Sequence, residues 1–149
     1  MSESISLTAG QTMSSSPIKL SEDEIITFAQ QFDPQPYHLD RNAAAQSIFG
    51  GLCASGWQVA ALINRLVIET LQQAGVPVVD VDRVANMRWK RPLFVDESIS
   101  VVVTIDALGD HPTQTNYSSL ALDVSVNNAQ QQQVAEMQCQ VAIDRERTS

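Results

Sequence analysis

One nine-residue segment, FDPQPYHLD at 32–40, combines residue types that can carry out acid–base chemistry. Asp33 and His38 are five residues apart, and Pro34 and Pro36 stiffen the chain between them. An extended segment of this length covers about 15 Å, at roughly 3.1 Å per residue, so the segment must curve if the two side chains share one site. A carboxylate and an imidazole held together can activate and orient a water molecule. Spacing alone favours the alternative that Asp33 caps a helix end and His38 is a hydrogen-bonded loop residue.

A glycine-rich segment, FGGLCASG at 49–56, opens the longest apolar stretch of the chain. Backbone N–H groups at a helix start suit a developing negative oxygen, and a glycine has no Cβ to obstruct approach. Gly51 is therefore a candidate oxyanion donor, and close packing of a helix against a sheet is the alternative role of these glycines. Ser55 lies inside the predicted helix rather than at the strand-to-helix turn of a serine hydrolase, which argues against a nucleophilic serine.

A metal site is not predicted, and neither is a cofactor. His38 and Asp40 are two possible ligands, but the sequence offers no third His or Cys nearby except Cys53, which lies in an apolar pattern.

Other polar and aromatic residues favour ordinary structural roles. His111 stands in the turn-like GDHPT, which predicts a solvent-exposed side chain, and Trp57 and Trp89 are more typical of a core than of a ligand platform. The one basic cluster of the sequence, at 88–91, indicates either a solvated strand edge or a docking point for a phosphate-bearing ligand.

The composition is that of a single acidic globular domain spanning residues 1–149. Nine basic and seventeen acidic residues give a net charge of −8, which disfavours nucleic acid and anionic membranes as partners. No apolar run is long enough to span a bilayer, and the polar start at 1–16, expected to be loosely held, is no secretory signal. Cys53 and Cys139 lie in apolar patterns, which predicts buried thiols of a cytoplasmic protein.

The elements that must position Asp33 and His38 follow from hydrophobic periodicity. PIKL at 17–20 predicts a short strand, and Ser21 and Glu24 stand at capping-box spacing before a helix with an apolar face. This helix must end near Asp33, because Pro34 disfavours helical conformation at the residue before it. Residues 34–50 then predict a loop with one helical turn around RNAAAQS.

The second half of the chain predicts a long helix followed by a sheet. Residues 51–74 are apolar over most of the helix circumference, which predicts a helix buried nearly all round. After Pro77 the period changes to 2, which predicts four antiparallel strands, at 81–91, 99–106, 119–126 and 135–143. The fold class is therefore α+β, with an antiparallel sheet curled around one central helix.

These segments, in this order, resemble the MaoC-like dehydratase family of hotdog-fold proteins, which includes the (R)-specific enoyl-CoA hydratases. The family motif is an Asp, two intervening positions, Pro, one position, His and a nearby Asp, matched here by Asp33, Pro36, His38 and Asp40. Other segments similar to the family are FAQQF, FGGLCASGW and MRWKRPLFVDE at 87–97, and the likeness runs from about Leu7 through Ile105 and more weakly to the end.

The resemblance implies a homodimer whose two sheets join edge to edge, and an enzyme of fatty acid metabolism that adds water to a 2-enoyl thioester such as an enoyl-CoA. Asp33 would be the general base on a water, and His38 would hold that water and help deliver the proton to the α-carbon. The N–H of Gly51 would stabilise the thioester oxygen as the enolate forms. The resemblance also implies substrate contacts by Gln35, which stands where many hydratases have Asn, and by Ser55 and Trp57.

Two other functions remain open. Many hotdog thioesterases place a catalytic carboxylate on the central helix, but the only acidic residue at 51–74 is Glu69, near the far end, which counts against a thioesterase. A non-catalytic acyl-binding dimer is the third possibility, since binding needs the cavity but no proton transfer.

Overall fold

The structure, a computed structural model, describes residues 6–145. Over this range the elements are β1 (Thr12–Ser14), β2 (Ile18–Lys19), α1 (Glu22–Phe32), α2 (Pro36–Leu39), α3 (Arg41–Ala45), α4 (Gly56–Gln73), β3 (Val78–Trp89), β4 (Ser98–Asp110), β5 (Tyr117–Asn128) and β6 (Gln133–Asp144). The predicted α+β class is confirmed, with one long helix and an antiparallel sheet. Each of the four predicted strands is present and extends one to four residues beyond at least one of its predicted ends.

The sheet has the strand order β1-β4-β5-β6-β3, and β2 also pairs with β4. All of these pairings are antiparallel. Alternate side chains of β4, β5 and β6 are buried, as the period of 2 predicts. This inner face supplies much of the core that packs on α4, including Val101, Val103, Ile105, Leu120, Leu122, Val124 and Val141.

The long helix α4 begins at Gly56, so the prediction that it begins at Gly51 is wrong. The residues just before it are extended instead: Cys53 forms a β-bridge with Phe94, and the Ala54 N–H donates to the Leu93 carbonyl at 2.8 Å. These contacts tie the segment to the chain that follows β3, and they keep the glycines at 50 and 51 out of the helix.

Burial of α4 is one-sided, so the prediction of a helix buried nearly all round is also wrong. Its buried face carries Leu62, Ile63, Leu66, Val67 and Leu71. The opposite stripe is exposed at Trp57, Ala61, Asn64, Arg65 and Gln72. The sheet of a single chain covers only one side of this helix, and apolar residues on the other side do not by themselves bury it.

The N-terminal elements match the prediction in part. Ser21 and Glu24 form the capping box of α1, and the helix ends at Asp33, whose N–H donates to the Ala29 carbonyl at 2.9 Å. The turn around RNAAAQS is α3, whereas α2 was not predicted. The expectation of a loosely held start does not hold for residues 10–15, because Gly10 and β1 pair with β4. Residues 1–5 lie outside the described range.

The predicted burial is confirmed for the two cysteines and wrong for His111 and the two tryptophans. Cys53 and Cys139 are free and buried, as predicted. His111 is not solvent-exposed: its side chain is 10% exposed, and its Nε2 lies 2.7 Å from the Asp82 carboxylate. Trp57 and Trp89 are not core residues, since they are 65% and 42% exposed.

No helix within residues 6–145 combines the length and the apolar character needed to cross a bilayer. The cytoplasmic location stays a prediction.

Candidate active site

Two short turns bring Asp33 and His38 together. Asp33 is the C-cap of α1, and Pro36 occupies the first turn of α2, where a missing N–H costs nothing. The N–H of Gln35 donates to the Asp33 carbonyl at 2.8 Å, and the N–H of His38 donates to the Gln35 carbonyl at 2.9 Å, so the chain bends back on itself. As a result, Asp33 Oδ2 and His38 Nε2 lie 3.6 Å apart.

The His38 ring is held by its Nδ1 atom. This residue is 5% exposed, and Nδ1 lies 2.7 Å from the Cys53 carbonyl oxygen. A carbonyl oxygen only accepts hydrogen bonds, so Nδ1 carries the proton and donates it. When the ring is neutral, Nε2 is then an acceptor, and it faces the Asp33 carboxylate. Tyr37 packs edge-on against the ring, with centroids 4.5 Å apart.

Each carboxylate oxygen of Asp33 has its own hydrogen-bond donor. The Ser55 hydroxyl donates to Oδ2 at 2.7 Å, and the Gln35 side-chain amide donates to Oδ1 at 2.8 Å. Burial by itself raises the pKa of Asp33, but the bonds from Ser55 and Gln35, and the positive charge of the His38 ring when it is protonated, together hold this pKa below its ordinary value. The carboxylate is therefore ionised at neutral pH and available as a base.

The start of α4 faces the same place. Ser55 caps the helix by accepting the Trp57 N–H at 3.2 Å, and Gly56 is the first helical residue. Within residues 6–145 no acceptor receives the Gly56 N–H. Space at Gly56 is tight, since an added Cβ would lie 3.1 Å from Nε1 of Trp89. Glycine at this position therefore lets the start of α4 pack closely against the Trp89 ring.

A cavity of about 410 Å³ opens beside these groups. Asp33, His38 and Gly56 line it, as do the predicted substrate contacts Gln35 and Trp57. Its apolar wall includes Phe49, Ala54, Val59 and Leu93. A cavity of this size and lining is typical of a small-molecule site.

Gly51 and Ser55 do not lie where their predicted roles require. Gly51 does not line the cavity, and an added Cβ there would contact the Phe94 ring at 3.5 Å. The oxyanion role predicted for Gly51 depended on a helix start that belongs to Gly56. Ser55 is fully buried and is bonded to Asp33, so its position is that of a group that holds the carboxylate rather than one that contacts substrate.

The basic cluster lies partly on the cavity. Lys90 and Arg91 are exposed residues of its lining. Lys90 donates to the Gln133 side chain at 2.8 Å and lies 3.5 Å from the Glu136 carboxylate, which partly neutralises it. The cluster is therefore both exposed and next to the cavity, and docking of a phosphate-bearing ligand stays a prediction.

Sequence reasoning missed Gly56 and Tyr37. The dipeptide Ser55–Gly56 carried a usable signal, because Ser is a preferred N-cap residue and its hydroxyl can begin a helix there. Nothing in the sequence distinguished the Tyr37 hydroxyl. Among the residues described, no three His, Cys, Asp or Glu side chains lie close enough together to hold a metal ion.

The model of the MaoC like domain matches residues 5–128 of this chain. The chain belongs to the MaoC-like domain family. It is 30% identical to the uncharacterised protein YdeM of Bacillus subtilis over 138 residues, which is 93% of this chain and 96% of YdeM. The MaoC-like dehydratase structure from Rhodospirillum rubrum is 28% identical, with a TM-score of 0.81 over 93% of this chain and 94% of that chain.

The (R)-hydratase PhaJ1 from Pseudomonas aeruginosa shares the fold. Its TM-score is 0.72 at 22% identity, over 93% of this chain and 83% of that chain. The predicted hotdog fold of this MaoC-like protein is confirmed by these two structures.

Proposed function

We propose that the protein is an acyl-thioester hydratase or dehydratase, which adds water to the double bond of a 2-enoyl thioester such as an enoyl-CoA, or removes it. The observation that carries the proposal is the 3.6 Å approach of Asp33 Oδ2 and His38 Nε2 at the wall of the cavity. Membership of the MaoC-like family supports it, as does the likeness to a MaoC-like dehydratase at 28% identity.

The gap between the two groups fits one water molecule. At 3.6 Å, Asp33 Oδ2 and His38 Nε2 are too far apart for a direct hydrogen bond. A water oxygen about 2.8 Å from each atom could bond to both of them. Both atoms are acceptors when the ring is neutral, so the water donates one hydrogen to Asp33 and the other to His38. Its lone pair then points away from both, toward a substrate in the cavity.

Asp33 is the base in this scheme. Its carboxylate removes one proton from the water as the oxygen attacks the β-carbon of the substrate, and the same proton returns to the α-carbon, which balances the addition of one water molecule. His38 keeps the oxygen in place. The predicted help of His38 in proton delivery requires Nε2 to gain a proton first, and it stays a prediction.

The Gly56 N–H is the group suited to the negative charge that forms on the thioester oxygen. It is a backbone donor at the first residue of an 18-residue helix, at the wall of the cavity and without an acceptor among the described residues. A fixed donor aimed at developing charge lowers the barrier without rearrangement. The apolar wall at Val59 and Leu93 suits the acyl chain.

We also propose that the protein is a homodimer joined along β3. This strand ends the sheet, so its outer edge has no partner strand within residues 6–145. Val79 and Val84 on it are 45% and 54% exposed, and an open strand edge can pair with a strand of a second chain. Sedimentation should give about twice the chain mass of 16.3 kDa, and a single-chain mass would contradict the dimer.

The activity is tested by following the ultraviolet absorbance of the conjugated double bond in a panel of enoyl-CoA chain lengths. Wild type should consume at least one of them, and Asp33→Asn should lower kcat on the order of 10²-fold or more, the usual contribution of a general base. The matched control is Asp23→Asn, the same change in the first turn of α1, which should leave the rate unchanged.

Each alternative has its own outcome in the same panel. Release of free thiol indicates a thioesterase, and retention of ligand without turnover indicates an acyl-binding dimer. Loss of activity in Asp33→Asn counts only if circular dichroism shows that the variant is folded. Full activity of a folded Asp33→Asn protein would contradict the proposed role of the carboxylate.

A further inference from the structure

A chain of two hydrogen bonds runs from Tyr37 to the carboxylate of Asp33. The Tyr37 hydroxyl donates to Oε1 of Gln35, and Nε2 of Gln35 donates to Oδ1 of Asp33 at 2.8 Å. The second carboxylate oxygen, Oδ2, takes the Ser55 hydroxyl and faces His38. Gln35 thus fixes Oδ1, whereas Oδ2 is the oxygen that faces His38.

The tyrosine sets the direction of the glutamine amide. A reversed amide would point Oε1 at the carboxylate, and two acceptors in contact repel each other. The Tyr37 hydroxyl favours the productive orientation because it gives Oε1 a donor. The Tyr37 ring is itself held in place, since it packs edge-on to His38 and lies 5.0 Å from the Phe49 ring, centroid to centroid.

We propose that Tyr37 is a positioning residue that acts through Gln35: together they hold Oδ1 of Asp33 so that Oδ2 faces His38. Gln35 is then primarily a support for the base, rather than a substrate contact as the sequence predicts. The effect on turnover rests on the proposed function, but the effect on the carboxylate does not.

The inference is first tested without turnover, by NMR titration of the ¹³C-labelled Asp33 carboxyl. The variants are Tyr37→Phe, which keeps the ring, and Gln35→Met, which keeps the length of the side chain but has no donor. Both should raise the pH at which Asp33 takes up a proton, because a donor to the ionised form is weakened or lost. The control is Tyr117→Phe, at the other tyrosine of the sequence, which should titrate as wild type does.

The double variant Tyr37→Phe/Gln35→Met decides whether Tyr37 acts through Gln35. A residue that acts through another adds nothing once that other is removed, so the double variant should titrate with Gln35→Met alone. Additive shifts would overturn the proposal. The proposal would also be overturned if the Asp33 carboxyl of Tyr37→Phe took up its proton at the same pH as in wild type, with an amide spectrum that shows a folded protein.

Kinetics supply the second readout. If the protein hydrates enoyl thioesters, Tyr37→Phe should lower kcat on the order of two- to tenfold, the worth of one neutral hydrogen bond, with KM little changed. The acid limb of the pH–rate profile should move to higher pH. A raised KM with an unmoved acid limb would instead make Gln35 a substrate contact. Wild type that hydrates nothing would refute the proposed function, and the NMR titration would still judge the positioning role.

Discussion

Replacing Ser55 with alanine removes two hydrogen bonds of different kinds. The hydroxyl accepts the Trp57 N–H as the N-cap of α4, and it donates to the ionised carboxylate of Asp33 at 2.7 Å. Loss of an N-cap side chain costs about 1 kcal/mol, and loss of a hydrogen bond to a charged group costs about 1.5–3 kcal/mol. Ser55 is fully buried and the Asp33 side chain is 16% exposed, so water replaces the lost donor poorly. Ser55→Ala should therefore lower the free energy of unfolding by about 2.5–4 kcal/mol at pH 7.

Two comparisons separate the cap from the carboxylate. Ser21→Ala removes the N-cap of α1, at the opposite end of that helix from Asp33, and should cost about 1 kcal/mol. In an Asp33→Asn background the carboxylate is replaced by a neutral amide, so Ser55→Ala should cost about 1.5–2.5 kcal/mol, while the cost of Ser21→Ala should not change. Urea unfolding at pH 7, followed by tryptophan fluorescence, measures the change in unfolding free energy for Ser55→Ala and for Ser21→Ala, each in wild type and in Asp33→Asn.

The pH dependence has a definite sign. The pKa of Asp33 is lowered in the folded protein, so its ionised form adds stability above the unfolded pKa, and that stability is lost as the pH falls through the folded pKa. The cost of Ser55→Ala should therefore be greatest near neutrality and should shrink in acid. If Ser55→Ala costs no more than Ser21→Ala in both backgrounds, Ser55 is only a helix cap, and the account of how Asp33 is held is wrong.

Two shorter predictions concern the helix start and the sheet edge. Gly56→Ala should lower kcat, with Asp33 still titrating as in wild type, because the new Cβ would lie 3.1 Å from Nε1 of Trp89 and would displace the start of α4 together with its N–H; an unchanged kcat in the folded variant would show that activity does not depend on this close packing. Val84→Glu should shift the sedimenting species from two chains to one, because Val84 is 54% exposed on the free edge of β3 and a carboxylate resists burial there; unchanged sedimentation would exclude this edge as the interface.

The sequence correctly predicted the strands and the end of α1, because local patterns determine these features. The alternating residues at 99–106, 119–126 and 135–143 marked three strands with their buried faces, and Pro34 marked the end of α1 at Asp33. These features depend on residues close together in the sequence, so the sequence by itself predicts them.

What the sequence did not reveal depends on contacts between distant segments. The start of α4 was misplaced because residues 53 and 54 are held extended by Phe94 and Leu93, some forty residues away. The sequence also did not reveal the bond from Ser55 to Asp33, which is 22 residues earlier, or the bond from His38 to the Cys53 carbonyl. Apolar residues continue back toward Gly51, but the Ser55 cap and these tertiary contacts together begin the helix at Gly56.

The position of the carboxylate also bears on the choice between hydratase and thioesterase. Glu69 pairs with Arg65 at 2.8 Å, is 45% exposed at its side chain and does not line the cavity, so α4 offers no acidic group there to activate a water. Asp33 instead approaches from the loop after α1, beside the Gly56 N–H at the helix start. In the proposed hydratase, a base on the loop and a donor on the helix would place a water on one side of the acyl group and its thioester oxygen on the other, which suits addition to the β-carbon. If wild type releases thiol from acyl-CoA and Glu69→Gln abolishes that release while Asp33→Asn does not, this reasoning fails, and the loop carboxylate is structural.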